Sequence, residues 1–379
     1  MERKLQWRRA FLATLFATAI AFASALKGNG EFKPNQPGAL PTILIIGTAK
    51  GGTTDLFKQL TDESVNKAPG RVEPPFPVDS AKEPAMLGRG GVIGSWLLPQ
   101  RALYFEYLQQ LNHPCSNTTT ETLRECLATR GLQQLTLDAT PDYSFSVMAP
   151  IYLRLLSPLS KVVMMMREPV ERVEVLYRHY VLTKGQWLDH TVDTLASNFF
   201  LAISKDPVVS TALERLADCP PTDLLCLVNN WRDLWVRPIM DSMDYVLFIS
   251  GLYNYMMAPW RYHYFQPGRA MVIDSQAYYE RRVEVMEEVI RFMYGRPMSA
   301  EERTLAASEV VWRKVGMPSL PGLKLSPPVK DQLTEFYDKH VMKGFYGMLA
   351  GMRAEGVWVV GFDQEPWNNC PGFAEFNNS

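Results

Sequence analysis

Lys50, Gly51, Gly52, Thr53 and Thr54 form the segment of this 379-residue chain best suited to chemistry on an anion. They follow a β-branched apolar run, Thr42 to Ile46, and lead into Thr54 to Leu60, which has helical spacing. A strand that turns through glycines into a helix points several backbone N–H groups at one spot. It also adds the positive end of the helix dipole. The glycines let an anion approach the backbone closely, and Lys50 supplies a cation. Arg167 ends a second apolar run, Lys161 to Met166, just before Glu168-Pro169 opens a helix. A guanidinium there can present a fork to phosphate oxygens. Taken alone, it would be read as a surface ion pair with Glu168 or Glu171. The third group is Lys82-Glu83-Pro84, where a carboxylate that could accept a hydroxyl proton stands beside a cation.

These groups need rigid elements to position them. The strand expectations are Thr42 to Ile46, Leu135 to Asp138, Lys161 to Met166, Tyr245 to Ile249 and Ala270 to Ile273. Helices are expected at Thr54 to Leu60, Val170 to about Leu182, Arg281 to Tyr294 and Lys330 to Met352. Strands alternating with helices predict an α/β fold, a central parallel sheet flanked by helices. Stretches rich in Pro and Gly at 68–78 and 87–94 read as loops, and no internal repeat is present.

Residue order decides what kind of anion loop this is. A triphosphate loop, G-x-x-x-x-G-K-[ST], places lysine after its last glycine, whereas here Lys50 precedes Gly51-Gly52. The segment resembles instead the 5′-phosphosulfate loop of sulfotransferases. Arg167-Glu168-Pro169-Val170-Glu171-Arg172 is similar to that family's Arg-x-Pro-x-x-Arg element, whose first arginine grips the 3′-phosphate of the donor. Lys82-Glu83-Pro84 resembles the catalytic segment of the Golgi carbohydrate sulfotransferases of the heparan and chondroitin type. The resemblance, anchored over about residues 41 to 365, implies a P-loop-like sulfotransferase fold and transfer of a sulfuryl group from 3′-phosphoadenosine 5′-phosphosulfate to a carbohydrate hydroxyl. It implies Glu83 as base, Lys50 at the leaving oxygen with Lys82 assisting, and no metal. Donor contacts fall to Lys50, Gly51, Gly52, Thr53, Thr54, Arg167 and Arg172. Asp138 and Asp142 are reserve acid/base groups.

The chain departs from the family pattern at several positions. Val175 stands where the family has a serine, although Tyr177 fits its aromatic position. Ala85-Met86-Leu87 replaces the aromatics that usually follow Lys-Glu-Pro, and Ala139 stands where lysine is common. Gly251-Leu252-Tyr253, Trp260 and Phe265 match a softer motif and read chiefly as core. The loop from Lys314 to Lys324 occupies the place of the family's late donor-binding loop. Two other readings stay open: a P-loop nucleotide kinase, and a catalytically degenerate member of the family that binds glycans.

Composition limits the partners. Residues 1 to 26 hold Arg3, Lys4, Arg8 and Arg9 against Glu2, and Ala10 to Leu26 run 17 residues without a charge. That is a secretory signal, either removed near Ala23-Ser24-Ala25 or kept as a single membrane anchor. Either outcome places the rest in the secretory lumen; the resemblance implies the Golgi lumen, as a type II protein, or secretion if the leader is cleaved. Residues 27–40 read as a stem, 41–365 as the sulfotransferase domain and 366–379 as a tail. Asn117-Thr118-Thr119 and Asn377-Asn378-Ser379 are glycosylation sequons. Cys219 with Cys226, and Cys115 with Cys126, could pair and leave Cys370 single. Beyond residue 26 the chain carries 35 basic against 39 acidic groups. Near-neutrality excludes a dedicated nucleic-acid binder and favours an acceptor of low or moderate charge. Five dispersed histidines make a metal-centred site a poor reading. The sequence leaves the oligomeric state open.

Overall fold

The computed structural model describes residues 42–61, 136–146, 149–156, 160–220, 242–308 and 322–362, together with several residues between 223 and 234. Its centre is a five-stranded sheet of β1 (Thr42–Ile45), β2 (Thr136–Asp138), β3 (Lys161–Met166), β4 (Ala270–Asp274) and β5 (Trp358–Val360), in the order β2-β1-β3-β4-β5. Every neighbouring pair is parallel. The leader, the stem, the sequons, Cys115, Cys126, Cys370 and residues 363–379 lie outside the described residues. So do the loops at 68–78 and 87–94, and Lys82-Glu83-Pro84. No helix among the described residues is long and apolar enough to cross a membrane.

The strands read as apolar runs because both faces of the sheet are covered. Side chains alternate across a strand, so Leu44, Val162, Met164, Met166 and Val272 enter one core. Ile43, Ile45, Val163, Met165, Met271 and Ile273 enter the other. The first core is closed by the helices Pro169–His179, Val192–Lys205, Pro207–Asp218, Tyr253–His263, Pro327–Tyr337 and Lys343–Ala354. The second is closed by Thr53–Thr61, Arg282–Tyr294 and Ala300–Ala307. Val162 to Met166 are all completely buried, each contributing roughly 2 kcal/mol of apolar transfer. At the start of β3, Lys161 donates to the carbonyls of Phe292 and Met293, at 2.6 and 3.0 Å. It thereby caps the negative end of the helix Arg282–Tyr294.

The α/β expectation with a parallel sheet is met, with one correction among the strands. Residues 245–249 belong to a helix, Ser242–Ile249. Leu247, Phe248 and Ile249 are all buried, so the apolar run from Tyr245 to Ile249 offers no polar position to betray a helical period. Two other expected helices are interrupted. The one after Arg167 spans Pro169–His179 and passes into a π turn, Tyr180–Lys184. The long C-terminal helix is Pro327–Tyr337 and Lys343–Ala354, joined by a π turn at Asp338–Met342. Cys219 and Cys226 form a disulfide, and the Asn230 amide donates to the Cys226 carbonyl at 2.9 Å.

His263 closes the helix Tyr253–His263 and is buried, with its Nε2 lacking a hydrogen-bond partner among the described residues. Burial, aided by the charge of Arg154, lowers its pKa to about 4. A depressed histidine favours the folded state fully above the unfolded pKa near 6.5, and that advantage declines as pH falls toward about 4. The unfolding free energy is expected to fall by roughly 2 kcal/mol between pH 7.5 and 5 from this group alone. Urea titrations at both pH values should show His263→Phe losing most of that difference.

Candidate anion site

The sheet reverses direction of build between β1 and β3, since the chain after β1 goes first to β2 on one side and then to β3 on the other. In open parallel sheets the carboxyl ends of strands at such a point flank a crevice where ligands bind. Both sequence-derived anion anchors lie there. The loop Ile46–Gly52 leaves β1, and Arg167 leaves β3.

The loop is tied to the strand beside it. The amide of Ile46 donates to Val163 O at 2.9 Å, and that of Thr48 to Met165 O at 2.8 Å. Gly51 then folds back to Thr48 O at 2.8 Å. A Cβ on Gly51 would stand 2.7 Å from Met165 O, so only glycine lets the loop lie this close to β3. Gly52 has φ +99°, a conformation that side chains disfavour. Gly52 O accepts from Asp55 and Leu56, which starts the helix Thr53–Thr61. Thr53 and Thr54 occupy its first turn ahead of these two bonded amides, and their own N–H groups have no carbonyl within the helix. Lys50 has φ +71°, and Lys50 and Trp187 are the two non-glycine residues with positive φ among those described. A lysine held in the left-handed region where glycine would be easier marks a position where the side chain matters.

Arg167 is held from three directions. Its backbone carbonyl accepts from the buried Tyr253 hydroxyl at 2.6 Å. Its guanidinium lies over the Tyr279 ring, 5.8 Å from the centroid, and stands 3.8 Å from Glu171. Its Nε is buried without a hydrogen-bond partner among the described residues. Glu168 is not its ion-pair partner. That carboxylate caps the following helix, accepting from Val170 N at 3.0 Å and Glu171 N at 2.6 Å, with Pro169 at the first helical position. Burial, the larger influence, still raises the Glu168 pKa.

The other expected site residues lie elsewhere. Arg172 has no exposed surface. Its Nη2 donates to Leu247 O at 2.7 Å, one of the last carbonyls of the helix Ser242–Ile249, and Tyr337 OH serves the next, Phe248 O, at 2.8 Å. Arg172 is therefore a cap at a buried helix end, with its guanidinium turned to that carbonyl. Asp138 is fully buried at the end of β2 and accepts from Thr140 and Tyr143 at 2.8 and 3.0 Å, which occupies it in shaping the turn. Asp142 is half-buried on the 3-10 turn Pro141–Phe145. Val175 is half-buried within its helix, and Tyr177 is buried, stacked on Trp187. Tyr253 and Trp260 are core, as read from sequence, although the Tyr253 hydroxyl also pins Arg167. Of the late loop, residues 309–321 lie outside the described residues and Lys324 is exposed.

A group of residues carried by no motif completes the site. Asp55, in the first turn after the loop, pairs with Arg282 at 3.1 Å and accepts from Tyr278 OH at 2.7 Å. Arg282 lies over the rings of Tyr278 and Tyr279, at 5.5 and 5.8 Å. Asp55 and Arg282 are both nearly buried, so the carboxylate is neutralised locally and does not oppose an anion at the loop.

The parallel α/β architecture and the loop–helix cradle thus agree with the sequence reading. No family model matches the chain, and no curated protein matches it. Among solved structures, it is similar to the crystal structure of a sulfotransferase from Alicyclobacillus acidocaldarius, at 16% identity and a TM-score of 0.45, over 83% of this chain and 99% of that one.

Proposed function

We propose that the chain transfers a sulfuryl group from 3′-phosphoadenosine 5′-phosphosulfate to a carbohydrate hydroxyl in a secretory lumen. The observation that carries this reading is the placing of two anion anchors, the Lys50 loop and Arg167, at the carboxyl ends of adjacent parallel strands. A donor with phosphates at its 5′ and 3′ positions needs two such anchors. The amides of the first turn after Gly52 would hold the 5′-phosphosulfate, with Lys50 at the bridging oxygen, and Arg167 would grip the 3′-phosphate.

Glu83 would take the proton of the acceptor hydroxyl while its oxygen bonds to sulfur in line. The bond from sulfur to the bridging oxygen breaks, and adenosine 3′,5′-bisphosphate leaves with its new charge beside Lys50. Lys82 would assist at the same place. The chain's own contribution is position and electrostatics, as in phosphoryl transfer.

The test is incubation with labelled donor and a panel of heparan, chondroitin, other glycans, a small hydroxylated metabolite and a tyrosine peptide. Label on a glycan is expected. Glu83→Gln should reduce transfer by about a thousandfold with donor affinity retained, a loss in the middle of the general-base range. Near-normal turnover in that variant removes Glu83 as base. Calorimetry with adenosine 3′,5′-bisphosphate and with magnesium ATP separates this reading from the kinase.

A further inference from the structure

Tyr279 lies near the point where the two anchors meet. Its ring is about one-third exposed, at 37%, while the preceding Tyr278 is fully buried. The guanidinium of Arg167 lies 5.8 Å from the ring centroid, and that of Arg282 lies at the same distance. A Cβ placed on Gly52 would stand 3.0 Å from the Tyr279 hydroxyl, so the phenol overhangs the turn of the anion loop. Behind it, Arg282 is fixed by Asp55, and Asp55 belongs to the first turn of the helix that the loop opens. A continuous path therefore runs from the loop's helix through Asp55, Arg282 and Tyr279 to Arg167.

Arg167 has few other restraints on its side chain. Its backbone is pinned by Tyr253, but among the described residues the one carboxylate near its guanidinium is the half-exposed Glu171, at 3.8 Å. An arginine so weakly paired would sample several rotamers, and ordering it on ligand binding would cost affinity. The face of an aromatic ring attracts a guanidinium without consuming its N–H groups. A carboxylate in the same place would compete with the incoming phosphate. The ring can hold Arg167 and leave its donors available.

From this geometry we infer that Tyr279 is a positioning residue, whose ring fixes the Arg167 guanidinium relative to the Lys50 loop before a bisphosphorylated nucleotide binds. The inference rests on the anion-site reading above. It does not depend on sulfuryl transfer itself, since it concerns binding of the nucleotide product.

The experiment is calorimetric titration of the full chain with adenosine 3′,5′-bisphosphate, using wild type, Tyr279→Phe, Tyr279→Leu, Arg167→Ala and the Arg167→Ala/Tyr279→Leu double variant. Thermal midpoints check that each is folded. Tyr279→Leu is expected to weaken binding about tenfold, within the range of a partly desolvated cation–π contact, and Tyr279→Phe to recover most of that loss. In the double variant, Tyr279→Leu should add almost nothing to Arg167→Ala, because the ring acts through the arginine. A role confined to packing would lower the midpoint and leave the affinities additive. Binding weakened by Arg167→Ala but unchanged by Tyr279→Leu, or fully additive losses, overturns the inference and leaves the anion site standing. A wild-type chain that does not bind the nucleotide overturns both.

Discussion

Replacing Lys50 by glycine is expected to cut sulfuryl transfer by about a hundredfold or more, the scale of losing one preorganised charge at a developing oxyanion. The protein should nevertheless be no less stable than wild type. The two effects have separate origins. Lys50 holds φ at +71°, where a side chain costs roughly 1 kcal/mol that glycine avoids. Gly51 and Gly52 show that the turn accepts glycine readily, since Gly51 packs against Met165 O and Gly52 itself has φ +99°. A loop needing only to turn would place glycine at residue 50 as well. On the proposed reading, the strain at residue 50 is the cost of holding an ammonium at the leaving oxygen. Lys50→Ala should lose activity similarly, without the relief of strain. Single-turnover transfer and urea unfolding on the three proteins check the pair of outcomes. A Lys50→Gly protein that is active, or one that is markedly destabilised, contradicts the assignment.

Legibility in the sequence followed the physics of each element. The bounds of β3 were readable because an apolar run begins at Lys161 and ends before Arg167-Glu168-Pro169, a charge and a helix start. The Lys50 loop was readable because its residue types are those that a close backbone turn demands. Residues 245–249 form part of a helix where a strand is expected, because a five-residue apolar run with no polar position fits either element. The edge strand Trp358–Val360 is only three residues long and gave no pattern to find. Tyr279 went unseen for another reason. It lies in no motif, and its relation to Arg167 exists only because β3 and β4 pair, bringing Met166 opposite Asp274. Long-range juxtapositions of this kind are set by topology, not by local spacing.

Arg167 and Arg172 sit five positions apart in one motif, and their alanine variants are expected to fail in opposite ways. Arg167→Ala should weaken binding of adenosine 3′,5′-bisphosphate about a hundredfold, the loss expected for a charge-assisted fork to phosphate, and change stability by less than ~1 kcal/mol. Its guanidinium is partly exposed, and among the described residues its one carboxylate contact is a loose 3.8 Å. Arg172→Ala should instead destabilise the fold by about 3 kcal/mol, because it opens a cavity and strips a hydrogen bond from a buried carbonyl. That carbonyl, Leu247 O, ends a helix whose next carbonyl depends on Tyr337. Arg172→Met offers a sharper comparison. The Nε and Nη1 atoms of Arg172 are buried without hydrogen-bond partners among the described residues, so a thioether of similar length should restore the packing and remove the desolvated charge. Its stability should therefore exceed that of the alanine variant, with nucleotide affinity near wild type. Urea unfolding and calorimetry on the same three proteins separate the roles. If Arg172→Met stays folded yet loses nucleotide binding, Arg172 acts on the ligand and the helix-cap assignment fails. If Arg167→Ala binds as wild type does, the second anchor is not an anchor, and the proposal of a bisphosphorylated donor falls with it.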